Sequence, residues 1–300
     1  MKWCYCSSGR FGKSVLSGIL DRKFLPDAVI SLPDRGMGRK LKLRPVPVKE
    51  FCLDNSIAVV EAETKQALPG IIKGFDITVV CDFGIIFSEE ALNSSYCINV
   101  HPSLLPRWRG PAPIYWTILS GDERTGVSII EMTKELDSGP ILLQRELPVG
   151  GKNYSQLSFE MSDIAATMLK EIFNGKNFPP GRQDDSLATY AGFVSKEHAR
   201  INFGQDDIYL IDRKIRAFES DYGAYAFLNG KRFKIFKARP VRGKDMPLGR
   251  LEICGNKLLV GAISGALDLT EVQIEGKKRM RAAEFLQGYS KIISQAPILS

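Results

Sequence analysis

Histidine is scarce in this chain. Among 300 residues there are two, His101 and His198. No C-x-x-C pair occurs, and neither imidazole stands at ligand spacing from two cysteines, which excludes the common zinc frameworks. No metal is expected. Of the six cysteines, Cys4, Cys6, Cys81 and Cys97 fall in apolar stretches, as buried, reduced thiols of a reducing compartment would. No apolar run approaches the roughly 18–20 residues of a membrane span. "MKWCYCSSG" reads as a first strand and not as a secretory leader. The expectation is a cytoplasmic monomer that touches no membrane, or a processed form of one. Internal repeats and low-complexity tracts are also missing. Acidic residues are outnumbered: 34 Asp and Glu against 41 Lys and Arg leave a net charge of +7. The distribution of that excess is more informative than its size. Arg35, Arg39, Lys40, Lys42 and Arg44 crowd a stretch without a single acid, which is a footprint suited to a polyanion.

What is present is an alternation. "KWCYC", "DAVISL", "IAVVEA", "DITVVCDF", "YCINV" and "TGVSIIEMT" read as strands. Between them lie helical patterns such as "FGKSVLSGILDRK", "VPVKEFCLDN", "EEALN" and "APIYWTILSG". Strands alternating with helices predict a Rossmann-like, mostly parallel α/β sheet, with ligands beyond the carboxyl ends of its strands. A long helix, "SQLSFEMSDIAATMLKEIFNG", closes this part. A polar, Pro/Gly/Asp-rich stretch follows, then the helix "DIYLIDRKIRAFES" and short strands with turns. Asn-Gly between two apolar runs at "LNGKR" signals a hairpin, and strands at this spacing suggest a small, OB-like β-barrel. The expected division is 1–186 for the first domain, 187–203 for a linker and 204–300 for the barrel.

Two motifs mislead. "SSGRFGKS" nearly matches a phosphate loop, but Ser7 stands where the backbone turn needs glycine. It reads as the first strand–helix turn. "DFG" at Asp82–Gly84 lacks every companion motif of a kinase and reads as a strand end.

The chemistry concentrates in "INVHPSLLPRWRG". Asn99 and His101 are two apart at a strand end and so share a face. Downstream, "ELDSGPIL" sets Asp137 before a Ser-Gly turn. Taken singly, a strand amide, a packed imidazole and a turn aspartate are commonplace; together they would be three independent coincidences. The amide and a protonated imidazole would stabilise an oxyanion, and the carboxylate would favour the imidazolium and take a proton through water.

The run from Ile98 to Leu142, with its N-x-H, S-L-L-P and D-x-G elements, resembles the folate-dependent formyltransferases. The likeness extends to the basic loop, to "TYAGFVSKEHARINF" as an interdomain linker, and to "GKRFKIFKA" near the start of a C-terminal barrel. It implies formyl transfer from 10-formyltetrahydrofolate, with Asn99, His101 and Asp137 as the catalytic set. It also implies a folate site made of Phe11, Gly84, Ile85, Ile86, Phe87, Ser103, Leu104, Leu105 and Pro106. The chain departs from the usual family pattern at Ser7-Ser8-Gly9 and at Asp82-Phe83, both beside that site.

Members of the family formylate a purine precursor, amino sugars on nucleotides, or aminoacyl-tRNA. The basic loop and the second domain favour initiator methionyl-tRNA. Arg35, Arg39, Lys40, Lys42, Arg44, Lys231, Arg232 and Lys234 are the candidate contacts. The alternatives are a sugar-nucleotide N-formyltransferase and a non-catalytic RNA- or folate-binding module.

Overall fold

Every residue of "WCYC" is apolar, as a parallel strand covered on both faces requires. In the computed structural model, which describes residues 1–37, 42–175, 178–295 and 297–300, this is β1 (Trp3–Cys6), buried along its whole length. Helix α1 (Arg10–Asp21) returns over the sheet and buries Phe11, Val15, Leu16 and Ile19, one stripe of a 3.6-residue period. There follow β2 (Ala28–Ser31), a hairpin of β3 (Arg35–Met37) and β4 (Lys42–Arg44), α2 (Pro47–Asp54), β5 (Val59–Glu61) and α3 (Leu68–Ile72). Next come β6 (Ile77–Val80), α4 (Glu89–Ser94), β7 (Tyr96–His101), α5 (Pro113–Ser120), β8 (Arg124–Glu131), β9 (Ile141–Pro148) and α6 (Tyr154–Phe173).

The sheet runs β5-β2-β1-β6-β7-β8-β9. The first five strands are parallel, and β8 and β9 add on antiparallel. The α/β reading therefore holds. Strand β9, half-exposed and absent from the sequence reading, extends the far edge. Strand order reverses between β1 and β6, and in such sheets ligands bind beyond the carboxyl ends at that point.

The C-terminal part contains α7 (Ile208–Ala217), β10 (Ala224–Leu228), β11 (Lys231–Arg242), β12 (Leu251–Cys254), β13 (Lys257–Ala262), β14 (Gly265–Ile274), β15 (Met280–Arg281) and α8 (Ala282–Ile293). The strands form an antiparallel sheet ordered β10-β11-β14-β13-β12. Asn229 and Gly230, both at positive φ, make the two-residue turn that the sequence signals. The final residues bridge the two edges. Ser300 exchanges backbone hydrogen bonds with Phe227 of β10, and Pro297 accepts one from Leu251 of β12. The sheet is thereby closed by chain that forms no strand of its own. Helix α8, which the sequence reading took for strand and turn, plugs the interior. Phe285 lies edge-on to Phe233 at 5.4 Å and stacks on Tyr289 at 4.5 Å.

The chain forms two compact units. The first comprises Met1–Pro113, Arg124–Pro148 and Ser158–Gly192; the second comprises Ile114–Glu123, Val149–Leu157 and Phe193–Ser300. The polar stretch after α6 belongs largely to the first unit. There Gly181 pairs with Ile141, and Arg109 with Tyr190.

Candidate active site

Along β7, Cys97, Asn99 and His101 point to one face, and His101 is the last residue before the chain leaves the sheet. Asp137 lies on the turn between β8 and β9 at a φ of +52°. Gly139 follows because nothing larger fits. A Cβ there would stand 1.8 Å from the Glu131 carbonyl of β8. The Asp-Ser-Gly element is thus a turn drawn tightly onto its neighbouring strand.

The three side chains meet. The Asn99 amide donates to Asp137 Oδ1 at 3.1 Å. His101 Nδ1 faces Asp137 Oδ2 at 3.6 Å, and both side chains are almost wholly buried. Two further groups come from the backbone of the intervening loop. The Gly110 N–H donates to Asp137 Oδ2 at 2.8 Å. His101 Nε2 lies 2.8 Å from the carbonyl oxygen of Trp108. A carbonyl only accepts, so Nε2 carries the proton of that contact, and Nδ1 faces the carboxylate. Trp108 at φ +64° and Gly110 at φ +113° hold the left-handed backbone that aims these groups inward. The sequence reading missed both, because a backbone carbonyl or amide has no letter of its own.

The family-model comparisons match residues 22–163 to "Formyl transferase" and residues 194–290 to "Formyl transferase, C-terminal domain". A methionyl-tRNA formyltransferase of Streptococcus pneumoniae serotype 19F (strain G54) is 33% identical, covering 98% of this chain and 97% of its own. This chain belongs to the formyl transferase family. Among solved structures, HypX from Aquifex aeolicus in complex with tetrahydrofolic acid superposes with a TM-score of 0.65 at 20% identity. The match covers 97% of this chain and 48% of HypX, so the chain spans about half of that protein. The N-formyltransferase of Helicobacter canadensis, complexed with folinic acid and dTDP-3-aminofucose, gives a TM-score of 0.65 at 21% identity over 90% of this chain and 99% of its own. In this formyl transferase Asn99, His101 and Asp137 thus lie within contact of one another at the carboxyl end of β7.

The other candidate positions of this formyl transferase divide by exposure. In Ser103–Pro106, Leu104 and Pro106 are partly open and Leu105 is buried. Ser103 is buried, with its hydroxyl donating to Arg107 O at 2.6 Å and its carbonyl accepting from Ser128 at 2.6 Å. Ser103 and Leu105 anchor the loop, and Leu104 and Pro106 offer apolar surface. After β6, Ile86 is 80% exposed, Gly84 presents backbone, Ile85 is half-buried and Phe87 is buried. Phe11 is a core residue whose ring has little surface to offer a ligand.

The two departures from the family pattern touch each other. The Asp82 carboxylate accepts from the Phe11 and Gly12 amides at 3.1 and 3.4 Å, and its carbonyl accepts from Ser8 and Gly9 at 3.1 Å. A Cβ on Gly9 would overlap that carboxylate at 1.9 Å. The first amides of α1 at the near phosphate-loop motif therefore already hold a carboxylate from this chain.

Of the basic residues, Arg35, Lys42 and Arg44 lie exposed on the β3–β4 hairpin, with Arg35 directly opposite Arg44. Like charges so paired favour an anionic neighbour. Arg39 and Lys40 lie outside the described residues. In the second unit Arg232 and Lys234 share the outer face of β11. Arg232 stacks over Tyr225 at 4.6 Å, and Arg200 lies 5.6 Å from the Phe227 ring. Lys231 is exposed at the hairpin end. Burial and the neighbouring Arg232 and Lys196 push the Lys234 ammonium below its usual range. Arg200 and Lys196 extend the cationic face beyond the sequence candidates, and Glu197 and Glu275 border it. Among the described residues no group of three or more His, Cys, Asp or Glu could hold a metal ion, and no helix is long and apolar enough to cross a membrane.

Proposed function

We propose that this formyl transferase moves the formyl group of 10-formyltetrahydrofolate to the α-amine of initiator methionyl-tRNA. The observation that carries the reading is the convergence of Asn99, His101 and Asp137 on one point at the carboxyl edge of β7. An α-amine titrates near 7.7–8.0, so much of it is already nucleophilic at neutral pH and no covalent enzyme nucleophile is needed. The Asn99 amide has two N–H donors; with one on Asp137, the second is available to a formyl oxygen as it gains charge. His101, held between the Trp108 carbonyl and Asp137, when protonated adds a positive charge to the same oxygen's surroundings. The attacking nitrogen sheds a proton, and the carboxylate of Asp137 accepts it directly or through water. The new C–N bond forms as the bond from the formyl carbon to the departing folate nitrogen breaks, and that nitrogen takes up the proton.

Leu104, Pro106 and Ile86 offer apolar surface to a flat heterocycle, and Gly84 admits close backbone approach. The residues present therefore fit folate. The tRNA acceptor is supported by the near full-length likeness to an S. pneumoniae methionyl-tRNA formyltransferase and by two cationic faces, one on the β3–β4 hairpin and one on β11. The second interleaves aromatics with cations, as nucleic-acid surfaces do.

The test is incubation with labelled 10-formyltetrahydrofolate and charged initiator tRNA, beside a nucleotide-linked amino sugar. Label in the methionyl ester is the expected result. Label in the amino sugar alone would reassign the acceptor, and release of label to neither would remove the enzymatic reading.

A further inference from the structure

Arg109 is a guanidinium withdrawn from water, with its side chain 5% exposed, and it serves neither of the cationic surfaces. Both its Nε and its Nη2 donate to Gln183 Oε1, at 3.1 and 2.9 Å, and Nη2 also reaches Asp185 Oδ1 at 2.6 Å. The other end of the Gln183 amide donates twice, to the carbonyl of Asp137 at 2.9 Å and to that of Gly139 at 2.8 Å. Only one orientation of this amide satisfies all four contacts. The guanidinium polarises the amide oxygen, which strengthens the two N–H donors on the far side.

Those donors grip the turn that most needs gripping. Asp137 holds a left-handed backbone without being glycine, a conformation that persists only where the surroundings over-determine it. Its carboxylate is set from the other side by Asn99 and Gly110. Gln183 itself is carried by a strap of paired backbone. Gly181 exchanges two hydrogen bonds with Ile141 at 2.8 Å, and Ala191 donates to Arg109 O at 2.7 Å.

We propose that Arg109 and Gln183 are positioning residues for formyl transfer, locking the Asp137–Gly139 turn so that the carboxylate stays between Asn99 and His101. The proposal rests on the reading of Asp137 as the proton acceptor. Neither residue touches the reacting atoms, and both act through Asp137.

Gln183→Glu separates positioning from mere bracing. It preserves side-chain volume and strengthens the pairing with Arg109, but it turns an acceptor oxygen against the Asp137 and Gly139 carbonyls. The experiment compares full-length wild type, Gln183→Glu, Gln183→Ala, Arg109→Lys and Asp137→Ala. For each it measures kcat, KM for 10-formyltetrahydrofolate and for charged tRNA, and the thermal midpoint, with all assays well below every midpoint. Gln183→Glu is expected to lose about 10–100-fold in kcat, as small misplacements of reacting groups do. Both KM values should stay within about threefold, as expected when ground-state binding is unchanged. Gln183→Ala and Arg109→Lys should follow the same split. Wild-type turnover in Gln183→Glu beside a slow Asp137→Ala overturns the proposal alone. A loss seen only as raised KM, or one that tracks a lowered midpoint, assigns a structural role and also overturns it. Near-normal turnover in Asp137→Ala overturns the reading of Asp137 first, and this proposal with it.

Discussion

The imidazole of His101 is held by its far edge. With Nε2 on the Trp108 carbonyl and Nδ1 toward Asp137, the ring cannot rotate without losing both partners. In the proposed mechanism, removing it deletes a donor beside the developing oxyanion. His101→Ala and Asp137→Ala are each expected to lower kcat by about 10²-fold or more, the usual cost of deleting such a group, while folate binding persists. Turnover by single-turnover kinetics and folate affinity by titration check the two halves separately. Gly139→Ala makes a different demand, because the added methyl meets backbone of β8 and not a side chain that could swing away. The turn must shift, so about 1–3 kcal/mol of stability and much of kcat should go together. A denaturation curve and an assay on one preparation would show it. At this scale the meeting of Asn99, His101 and Asp137 was legible, because the residue types themselves mark it. The contacts made by backbone atoms of Trp108 and Gly110, and by Gln183 far along the chain, carry no such mark.

At the level of elements, the α1 N-terminus shows how two departures in sequence become one contact. The Asp82 carboxyl sits above its usual 3.8 because partial withdrawal from water outweighs the Gly12 and Phe11 amides that favour its charge. A carboxyl raised in the folded state stabilises below its unfolded value and loses that contribution as pH rises through the folded one. Asp82→Asn should therefore raise the thermal midpoint at pH 7, with the gap closing toward pH 4. The increment is small, since the residue keeps much of its surface in water. Paired melts at the two pH values would reveal a gap of the wrong sign. The strands buried on both faces were legible as continuous apolar runs. Strand β9 was not, because one side is solvated and the pattern "ILLQRELP" is mixed. Helix α8 was missed although Ala282, Phe285 and Ile293 mark one face, because short strands before it set the expectation for what followed. Within the basic stretch, Arg35–Met37 and Lys42–Arg44 pair as antiparallel strands of three residues, too short for any periodicity to announce.

For the whole molecule, charge and partition matter together. Arg232→Ala with Lys234→Ala should raise KM for tRNA, leave KM for folate unchanged, and flatten the salt dependence by about one unit per lost phosphate contact. Arg39→Ala, from the sequence candidates, should act in the same direction. Kinetics between low and moderate salt would register either change, and an unaltered slope would remove those residues from the tRNA surface. The two-part organisation was legible from the change in pattern after α6. The interleaving was not. The segments Ile114–Glu123 and Val149–Leu157 lie among residues 1–186, expected to form the first domain, yet belong to the second unit. Tyr115 of α5 packs on Phe218 at 5.3 Å, and Leu119 of the same helix accepts from Arg213.

That interleaving bears on any attempt to graft halves between relatives. A crossover at the apparent seam near Gly192 would divorce α5 from the partner that buries Tyr115, and an earlier one after α6 would strand Gln183 on the wrong parent. No single splice point inherits both units whole, so functional chimaeras should appear only when the two internal segments travel with the C-terminal graft.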